Sequence, residues 1–426
     1  MAVFENSESF AHEMDKKDVL KDFRNEFLFP QHNGQEAVYL TGNSLGLQPK
    51  GAAKALQTEL EDWSTYAVEG HFKARNPWFS YHEMFKAPLA KVVGAKPVEV
   101  TVMNGLTANL HFLMVSFYRP TTTRYKILCE AKAFPSDQYA LESQVRFHRF
   151  DPNDALIEIA PRQGEHLINE QDIYEAIKKH GDQIALIMIG GVNYYTGQLF
   201  DMKKITELGQ KAGCIVGFDL AHAAGNVELD LHDWNVDFAA WCSYKYMNSG
   251  PGSVAGIFVH EKHAENDSLP RFAGWWGNDP ESRFLMEKGF SPAKGADGWQ
   301  LSNAPVLAMA VHKVSLDLFE RAGMKEINKK RDELTAYLEY IVNDVSSGTA
   351  ELDIEIITPV DPTKRGAQLS LLTHGSGKDL FDRLTDLGVI ADWREPNVIR
   401  IAPAPLYNSF YDIYRFGVLL KKAASQ

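Results

Sequence analysis

The sequence predicts an α/β fold: a mostly parallel central sheet with helices on both faces, plus a smaller α+β C-terminal domain. Three observations carry this expectation. Between about residues 99 and 242, short apolar runs of strand length alternate with stretches at helical spacing, the pattern of a parallel sheet buried on both faces. Beyond about residue 310 the runs alternate apolar with polar residues, as in Glu351-Leu-Asp-Ile-Glu-Ile-Ile357, which suits strands exposed on one face. The 426 residues also exceed the roughly 250–300 at which one hydrophobic core stops growing, so a large domain and a smaller one are expected.

In chain order, residues 8–30 read as helical and polar, and Ala37-Val-Tyr-Leu40 as a short strand. The segment Thr41-Gly-Asn-Ser-Leu-Gly-Leu-Gln-Pro49 is rich in turn residues. A helix from Gly51 to about Tyr66 puts Leu56, Leu60 and Trp63 on one face. The strand Glu99-Val-Thr-Val-Met103 leads into a helix opened by Asn104-Gly-Leu-Thr107. Further strands are expected at 125–129, 184–192, 215–219 and 238–242, with helices at 171–180 and 202–212 between some of them. Gly256-Ile-Phe-Val259 has no long helix before it, so antiparallel pairing is expected there. Helices at 304–322 and 324–345 precede strands at 351–357, 367–372 and 398–402. The cluster Lys329-Lys330-Arg331 reads as a solvated helix face.

Composition narrows the function. A formal net charge of −12 gives no electrostatic basis for binding nucleic acid or an anionic membrane. No run approaches the ~20 apolar residues of a membrane span, and the N-terminal residues lack a basic stretch followed by an apolar one. Cys129, Cys214 and Cys242 lie in or beside apolar runs with no metal-ligand spacing, so buried free thiols and a cytoplasmic protein are expected, with no metal.

The chemistry concentrates where apolar runs end. Asp219 follows Ile215-Val-Gly-Phe218, and Lys245 follows Phe238-Ala-Ala-Trp-Cys242, 26 residues on. On neighbouring strands both would reach one rim of the sheet. A carboxylate and an amine there suit pyridoxal 5′-phosphate, whose ring nitrogen takes an anion and whose aldehyde takes a lysine. Asp219 could instead simply cap the next helix, and His222 could be a core histidine or hold the Asp219 carboxylate. Asn104-Gly-Leu-Thr107 offers free N–H groups for a phosphate, or plain helix capping. Phe134 and Asp137 follow another strand at the same rim, where an aromatic can stack on a cofactor ring or serve as ordinary core.

Taken together, the chain resembles the kynureninase family over nearly its whole length. The matching segments are Gly42-Asn-Ser-Leu-Gly-Leu-Gln-Pro49, Leu106-Thr107, Phe134-Pro-Ser-Asp137, Gly191-Val-Asn-Tyr-Tyr-Thr-Gly-Gln198, Phe218-Asp-Leu-Ala-His-Ala-Ala-Gly-Asn-Val227, Tyr244-Lys-Tyr246, Gly274-Trp-Trp-Gly277, Ser302-Asn303 and Arg400-Ile-Ala-Pro-Ala-Pro-Leu-Tyr-Asn408. The Asp–His–Lys pattern is common to aminotransferase-like pyridoxal-phosphate enzymes; the tryptophan pair and the Arg400 run narrow it to this family. The resemblance implies that fold. It also implies an N-terminal arm at 1–60 packing with the small domain and a dimer partner, a large cofactor-binding domain at 61–310, and a small C-terminal domain at 311–426.

By resemblance, Lys245 bonds the cofactor aldehyde and acts as base, Asp219 pairs with the ring nitrogen, and Phe134 stacks on the ring. Leu106, Thr107 and Tyr244, with Trp275 and Asn303 from the neighbouring subunit of a homodimer, surround the phosphate, while Asp137 and His222 support the ring. Arg400 anchors the substrate α-carboxylate, and Ser44, His71 and Asn303 line the pocket for its aromatic ring. The implied substrates are L-kynurenine and 3-hydroxy-L-kynurenine, with a lean toward the latter from His71 and Asn303. The implied reaction is hydrolysis to an aminobenzoate and L-alanine, in tryptophan catabolism and NAD biosynthesis. Tyr244 is a candidate proton donor as well as a phosphate ligand. Gly190 departs from the family pattern, where serine is expected, and removes one polar contact to the cofactor.

Rival readings are a cysteine desulfurase-like β-lyase, a non-catalytic cofactor-binding protein and a nicotinamide-dependent dehydrogenase. The first needs a reactive cysteine on an exposed loop, and the second has no need of Lys245, Asp219, Tyr244 and Arg400 together. The third needs a Gly-x-Gly-x-x-Gly after an early strand, which is not found.

Overall fold

Seven of the apolar runs form one sheet in the computed structural model, which describes residues 4–264, 266, 268–375 and 377–425. Its strands are β1 (Val100–Met103), β2 (Lys126–Glu130), β3 (Leu156–Ile159), β4 (Ile184–Gly190), β5 (Ile215–Asp219), β6 (Phe238–Trp241) and β7 (Ala255–Val259). Their order across the sheet is β1-β7-β6-β5-β4-β2-β3. Only β7 runs against its neighbours, as expected for a strand reached without a long crossover helix.

Alternate residues feed two cores, one on each face of the sheet. Along β6, Phe238 and Ala240 pack with Phe117, Ile127 and Trp299. Ala239 and Trp241 turn the other way, to Phe85, Ile187 and Phe218. The aromatic rings fit because glycine faces them. A Cβ on Gly217 would lie 2.2 Å from the Phe238 ring, and one on Gly256 would lie 2.4 Å from the Trp241 indole. Both rings are fully buried, and burying a side chain of that size contributes about 1.5–3 kcal/mol. The three cysteines are buried free thiols in the same layers.

The helices that matter here are α1 (Glu8–Lys17), α2 (Gly51–Tyr66), α3 (Glu83–Val93), α4 (Leu106–Phe117), α5 (Pro135–Phe147), α6 (Val306–Ala322), α7 (Met324–Ser347) and α8 (Phe410–Ala424). A second sheet follows, built from β8 (Ile354–Ile356), β9 (Leu369–Thr373), β10 (Asp392–Arg394) and β11 (Val398–Ile401), in the order β8-β9-β11-β10. Its core includes Leu371, Ile399 and Ile401, and it takes in Ala11, Val38 and Leu40 from the N-terminal segment. Val38–Tyr39 pairs in parallel with Val389–Ile390, and α1 packs on α8. The composition change near residue 310 falls inside α6, which packs on α2 and α3 beside the large sheet.

Three sequence expectations change. The helix expected over 8–30 stops at Lys17 and is followed by a tight turn of helix at Lys21–Glu26. The cause is Asp18, which accepts the Leu20 N–H at 2.8 Å and pairs with Lys330 at 2.7 Å. Of the Lys329-Lys330-Arg331 cluster, therefore, only Lys329 is on a solvated face. Lys330 and Arg331 are buried, and Arg331 Nη1 donates to the Asn226 carbonyl at 2.7 Å. Finally, β3 was not anticipated; Leu-Ile-Glu-Ile is a four-residue edge strand with only one neighbour.

Candidate active site

The carboxyl ends of β2, β4 and β5 open onto a cleft of about 490 Å3 between the two sheets. Parallel strands place all such ends on one rim, which is where ligands bind in sheets of this kind. Asp219 ends β5 and lies directly across from Gly190 and Ala240. Lys245 lies four residues beyond the end of β6, and its Nζ sits 3.1 Å from His222 Nε2 and 5.7 Å from the centre of the Phe134 ring. Tyr244 lines the same wall, and its carbonyl accepts the N–H of Gly46 at 2.8 Å. A Cβ on Gly46 would come within 2.5 Å of the Lys245 carbonyl oxygen, so only glycine lets the 41–49 turn dock here and carry Ser44 into the cleft.

Charge on the cleft floor is arranged around Asp219. Its Oδ1 accepts the Ala221 N–H at 2.6 Å, and its other close partner is the Asp137 carboxyl. Burial pushes both carboxyls above the usual range, Asp137 further because the neighbouring Asp219 charge adds to it, whereas the Ala221 N–H and the Lys245 charge pull Asp219 back down. Of the pair, Asp137 is the one that keeps a proton. His222 is held neutral by burial and by the cations of Lys245, Arg400 and Arg394. The reading in which His222 holds the Asp219 carboxylate is thus corrected: Ala221 and Asp137 do so, and His222 turns to Lys245.

The first turn of α4 closes one end. Gly105, its N-cap, has extended backbone and makes no side-chain cap bond, and a Cβ there would meet nothing within 4 Å. Leu106, Thr107 and Ala108 line the cleft at this point, where the first N–H groups of a helix have no intrahelical acceptor. This is a seat for a phosphate. Phe134 is the N-cap of α5 and packs edge-on against Tyr194, 5.3 Å away, leaving a face of its ring available.

Arg400 closes the other end from β11. It is fully buried, donating to the Tyr194 carbonyl and to Asp392 Oδ2, each at 2.6 Å. Arg394, on β10, donates to the same Asp392 oxygen at 3.1 Å. The Nε of each guanidinium is buried without a partner, as are Asp137 Oδ1, His222 Nδ1 and Asn43 Oδ1. Five unpaired polar atoms around one cleft are the signature of a site shaped for a polar ligand. The donor set fits pyridoxal phosphate: amine, carboxylate, aromatic ring and phosphate seat, each at the rim.

Trp275, Asn303 and His71 are not brought to this cleft. Trp275 is half-exposed and lines a separate hollow with Asn278 and Arg283, its Nε1 donating to the Arg283 carbonyl at 3.3 Å. Asn303 is exposed, and His71 packs edge-on against Trp78 at 5.6 Å. In turn, the cleft holds residues the sequence reading missed: Glu130, Tyr194, Arg394 and Asn43. Glu130 ends an apolar strand just as Asp219 does, so the same rule could have found it. Burial pushes its carboxyl up to about 7.

Two other clusters among the described residues could be taken for metal sites, but in each the groups that would hold an ion are engaged with protein partners. In Glu99–His232–His260, both ring nitrogens of His260 are already engaged, by the Lys262 N–H and the His232 carbonyl. In His82–Glu83–Asp297, the Lys86 ammonium pairs with both carboxylates.

Comparison with known proteins adds an independent line. The chain matches the aminotransferase class-V family over residues 38–352 and the kynureninase C-terminal domain over residues 327–420. A curated relative from Flavobacterium psychrophilum, named kynureninase, is 58% identical over 420 residues and is matched over 99% of each chain. Others of that name come from Myxococcus xanthus, at 54% identity over 100% of this chain and 99% of the relative, and from Nematostella vectensis, at 51% over 98% and 94%. Among solved structures, the apo cysteine desulfurase from Thermococcus onnurineus NA1 superposes over 100% of both chains with a TM-score of 0.74 at 16% identity. A cysteine desulfurase from Escherichia coli gives 0.75 at 14% identity over 95% and 98%. These two likenesses concern the fold alone.

Proposed function

The chain belongs to the kynureninase family, and on that premise we propose that the Lys245 cleft hydrolyses L-kynurenine, 3-hydroxy-L-kynurenine or both to an aminobenzoate and L-alanine. The observation that carries this reading is the placement of Lys245 beside neutral His222, in one cleft with Asp219 and Arg400. Bound pyridoxal 5′-phosphate supplies an electron sink for the charge that develops at the substrate α-carbon. Asp219, held by the Ala221 N–H beside protonated Asp137, would pair with the ring nitrogen. The N–H groups of Leu106 and Thr107, with Tyr244, would hold the phosphate, and Phe134 would pack against the ring.

Arg400 holds the substrate α-carboxylate through its planar fork. Lys245 Nζ then takes the α-proton, steered by the lone pair of His222. Water adds to the aryl ketone, the bond from that carbon to the β-carbon breaks, and the water oxygen leaves in the aminobenzoate carboxylate. To complete alanine a proton must return to the α-carbon, from Lys245, and a second must reach the β-carbon; we assign the second to the Tyr244 hydroxyl. Burial pushes that hydroxyl above its ordinary pKa, so it stays protonated and able to donate at neutral pH. With Tyr244→Phe, deuterium incorporation at the alanine β-carbon in heavy water should slow by about 100-fold, the usual scale of a lost general acid. Incorporation at the native rate would remove Tyr244 from that role.

We also read the site as completed by a second copy of the chain. His71, Trp275 and Asn303 stand away from Lys245 in their own chain, and Trp275 and Asn303 are left exposed there, available to a neighbouring copy. Mixing Lys245→Ala chains with Trp275→Ala/Asn303→Ala chains should then restore up to about a quarter of native activity. Random pairing makes half the dimers mixed, and each mixed dimer has one intact site. No recovery would place those residues in the site of their own chain.

A cytoplasmic enzyme of tryptophan breakdown and pyridine-nucleotide synthesis is the setting this reaction supports. No helix among the described residues is long and apolar enough to cross a membrane. The direct test is release of alanine with anthranilate or 3-hydroxyanthranilate, and the two initial rates measure substrate preference. A cofactor spectrum without either product would move the assignment to another β-cleaving reaction.

A further inference from the structure

We propose that Glu130 is a positioning residue that fixes Arg400 relative to Lys245, acting through Asn193 and the turn that follows it. This deepens the reading of the cleft given above and rests on it. The Glu130 side chain is buried, with Oε1 accepting the Gly190 N–H at 3.0 Å and Oε2 accepting Asn193 Nδ2 at 2.7 Å. The other end of the Asn193 amide is fully committed. Its Oδ1 accepts from the Tyr195 N–H and the Thr196 N–H at 3.0 Å each, and from Thr196 Oγ1 at 3.1 Å. The amide therefore cannot flip, and its NH2 group requires an acceptor at the Glu130 position.

The turn held in this way reaches across to the second sheet. The Tyr194 carbonyl accepts from Arg400 Nη1 at 2.6 Å and from Gln368 Nε2 at 3.1 Å, and the Tyr195 carbonyl accepts from Ser370 Oγ at 2.6 Å. Ser370 on β9 is in turn the cross-strand neighbour of Arg400 on β11. One carboxylate at the rim of the large sheet is thus joined through one turn to the strands that carry the carboxylate anchor. An amino-acid substrate must meet Lys245 beside its α-carbon and Arg400 at its carboxylate, so this link sets the distance it must span. The same contact accounts for Gly190: a Cβ there would lie 2.7 Å from Glu130 Oε1. Where a serine is expected by family resemblance, this chain has a glycine and a carboxylate in the space beside it.

Glu130→Gln tests the link with little change in shape. Its Oε1 still accepts the Gly190 N–H, but its NH2 group now faces the NH2 group of Asn193. The double variant Glu130→Gln/Asn193→Asp exchanges donor and acceptor across that pair, while the second Asp oxygen still accepts the three donors of the turn. For Glu130→Gln, KM for the kynurenine substrate and Kd for L-alanine, read from the cofactor absorbance, should each rise about tenfold, with kcat within about threefold. The double variant should return both constants to within about threefold of native. A merely structural role would lower the folded fraction without this split and without rescue by the exchange.

An unchanged KM and alanine Kd in Glu130→Gln would overturn the proposal, as would a folded double variant that keeps the defect. Should Glu130→Gln not fold, Glu130→Asp takes its place: it keeps the carboxyl group but cannot span both donors, and native constants there would equally overturn it. Alanine binding needs no turnover, so native protein that bound alanine but released no aminobenzoate would count against the reaction and not against Glu130.

Discussion

Replacing Lys245 by alanine is expected to abolish the visible absorbance of the enzyme–cofactor bond and to lower alanine release by at least about 10^4-fold. One amine both bonds the cofactor and moves the α-proton, so both functions fail together. The fold should be unaffected, because Nζ faces the cleft, with His222 Nε2 at 3.1 Å and the Phe134 ring centre at 5.7 Å. An absorbance spectrum, a melting curve and an alanine assay on the same sample check this. A variant that kept the band, or kept substantial turnover, would require another lysine, and the described cleft lining contains only this one.

The second large effect concerns Arg400. Arg400→Lys keeps the charge but loses the planar fork, so one ammonium cannot serve the Tyr194 carbonyl, Asp392 and a substrate carboxylate together. KM should rise by about 100-fold, or about 2.7 kcal/mol, within the range for one or two charge-assisted hydrogen bonds. The effect on kcat should be smaller, below about tenfold, because the lost contact is made to a part of the substrate that does not react. Asp392 remains paired with Arg394, which limits any loss of stability. Substrate titration checks the prediction, and a KM within threefold of native would deny Arg400 the role of anchor.

Much of this cleft was legible from residue types alone, and the reason is local. Asp219 and Lys245 are ionisable groups at the ends of apolar runs, and alternating strands and helices put such ends on one rim. The same logic anticipated the antiparallel β7 and the buried thiols. What stayed hidden depends on partners distant in the chain. Lys330 looks solvated until Asp18, more than 300 residues earlier, is found against it. Arg394 sits among charged residues on a short strand, and only the shared Asp392 shows that it faces the cleft. The direction of His222 is set by the turn after Asp219, which residue order does not reveal. Glu130 obeys the same rule as Asp219, since it too ends an apolar strand.

Gly190 illustrates the limit from the other side. A missing hydroxyl reads as a lost contact in sequence, whereas the structure has the Glu130 carboxylate filling the space a side chain would take. A substitution can therefore be understood only with the residue that occupies the space it leaves.

The measurement that bears most directly on the central claim is turnover of L-kynurenine and 3-hydroxy-L-kynurenine in 18O-labelled water by the native protein with pyridoxal phosphate. The account predicts alanine and the matching aminobenzoate in equal amounts, with heavy oxygen in the aminobenzoate carboxylate. Alanine formed without an aminobenzoate, or release of sulfur from cysteine in place of cleavage of either kynurenine, would contradict it.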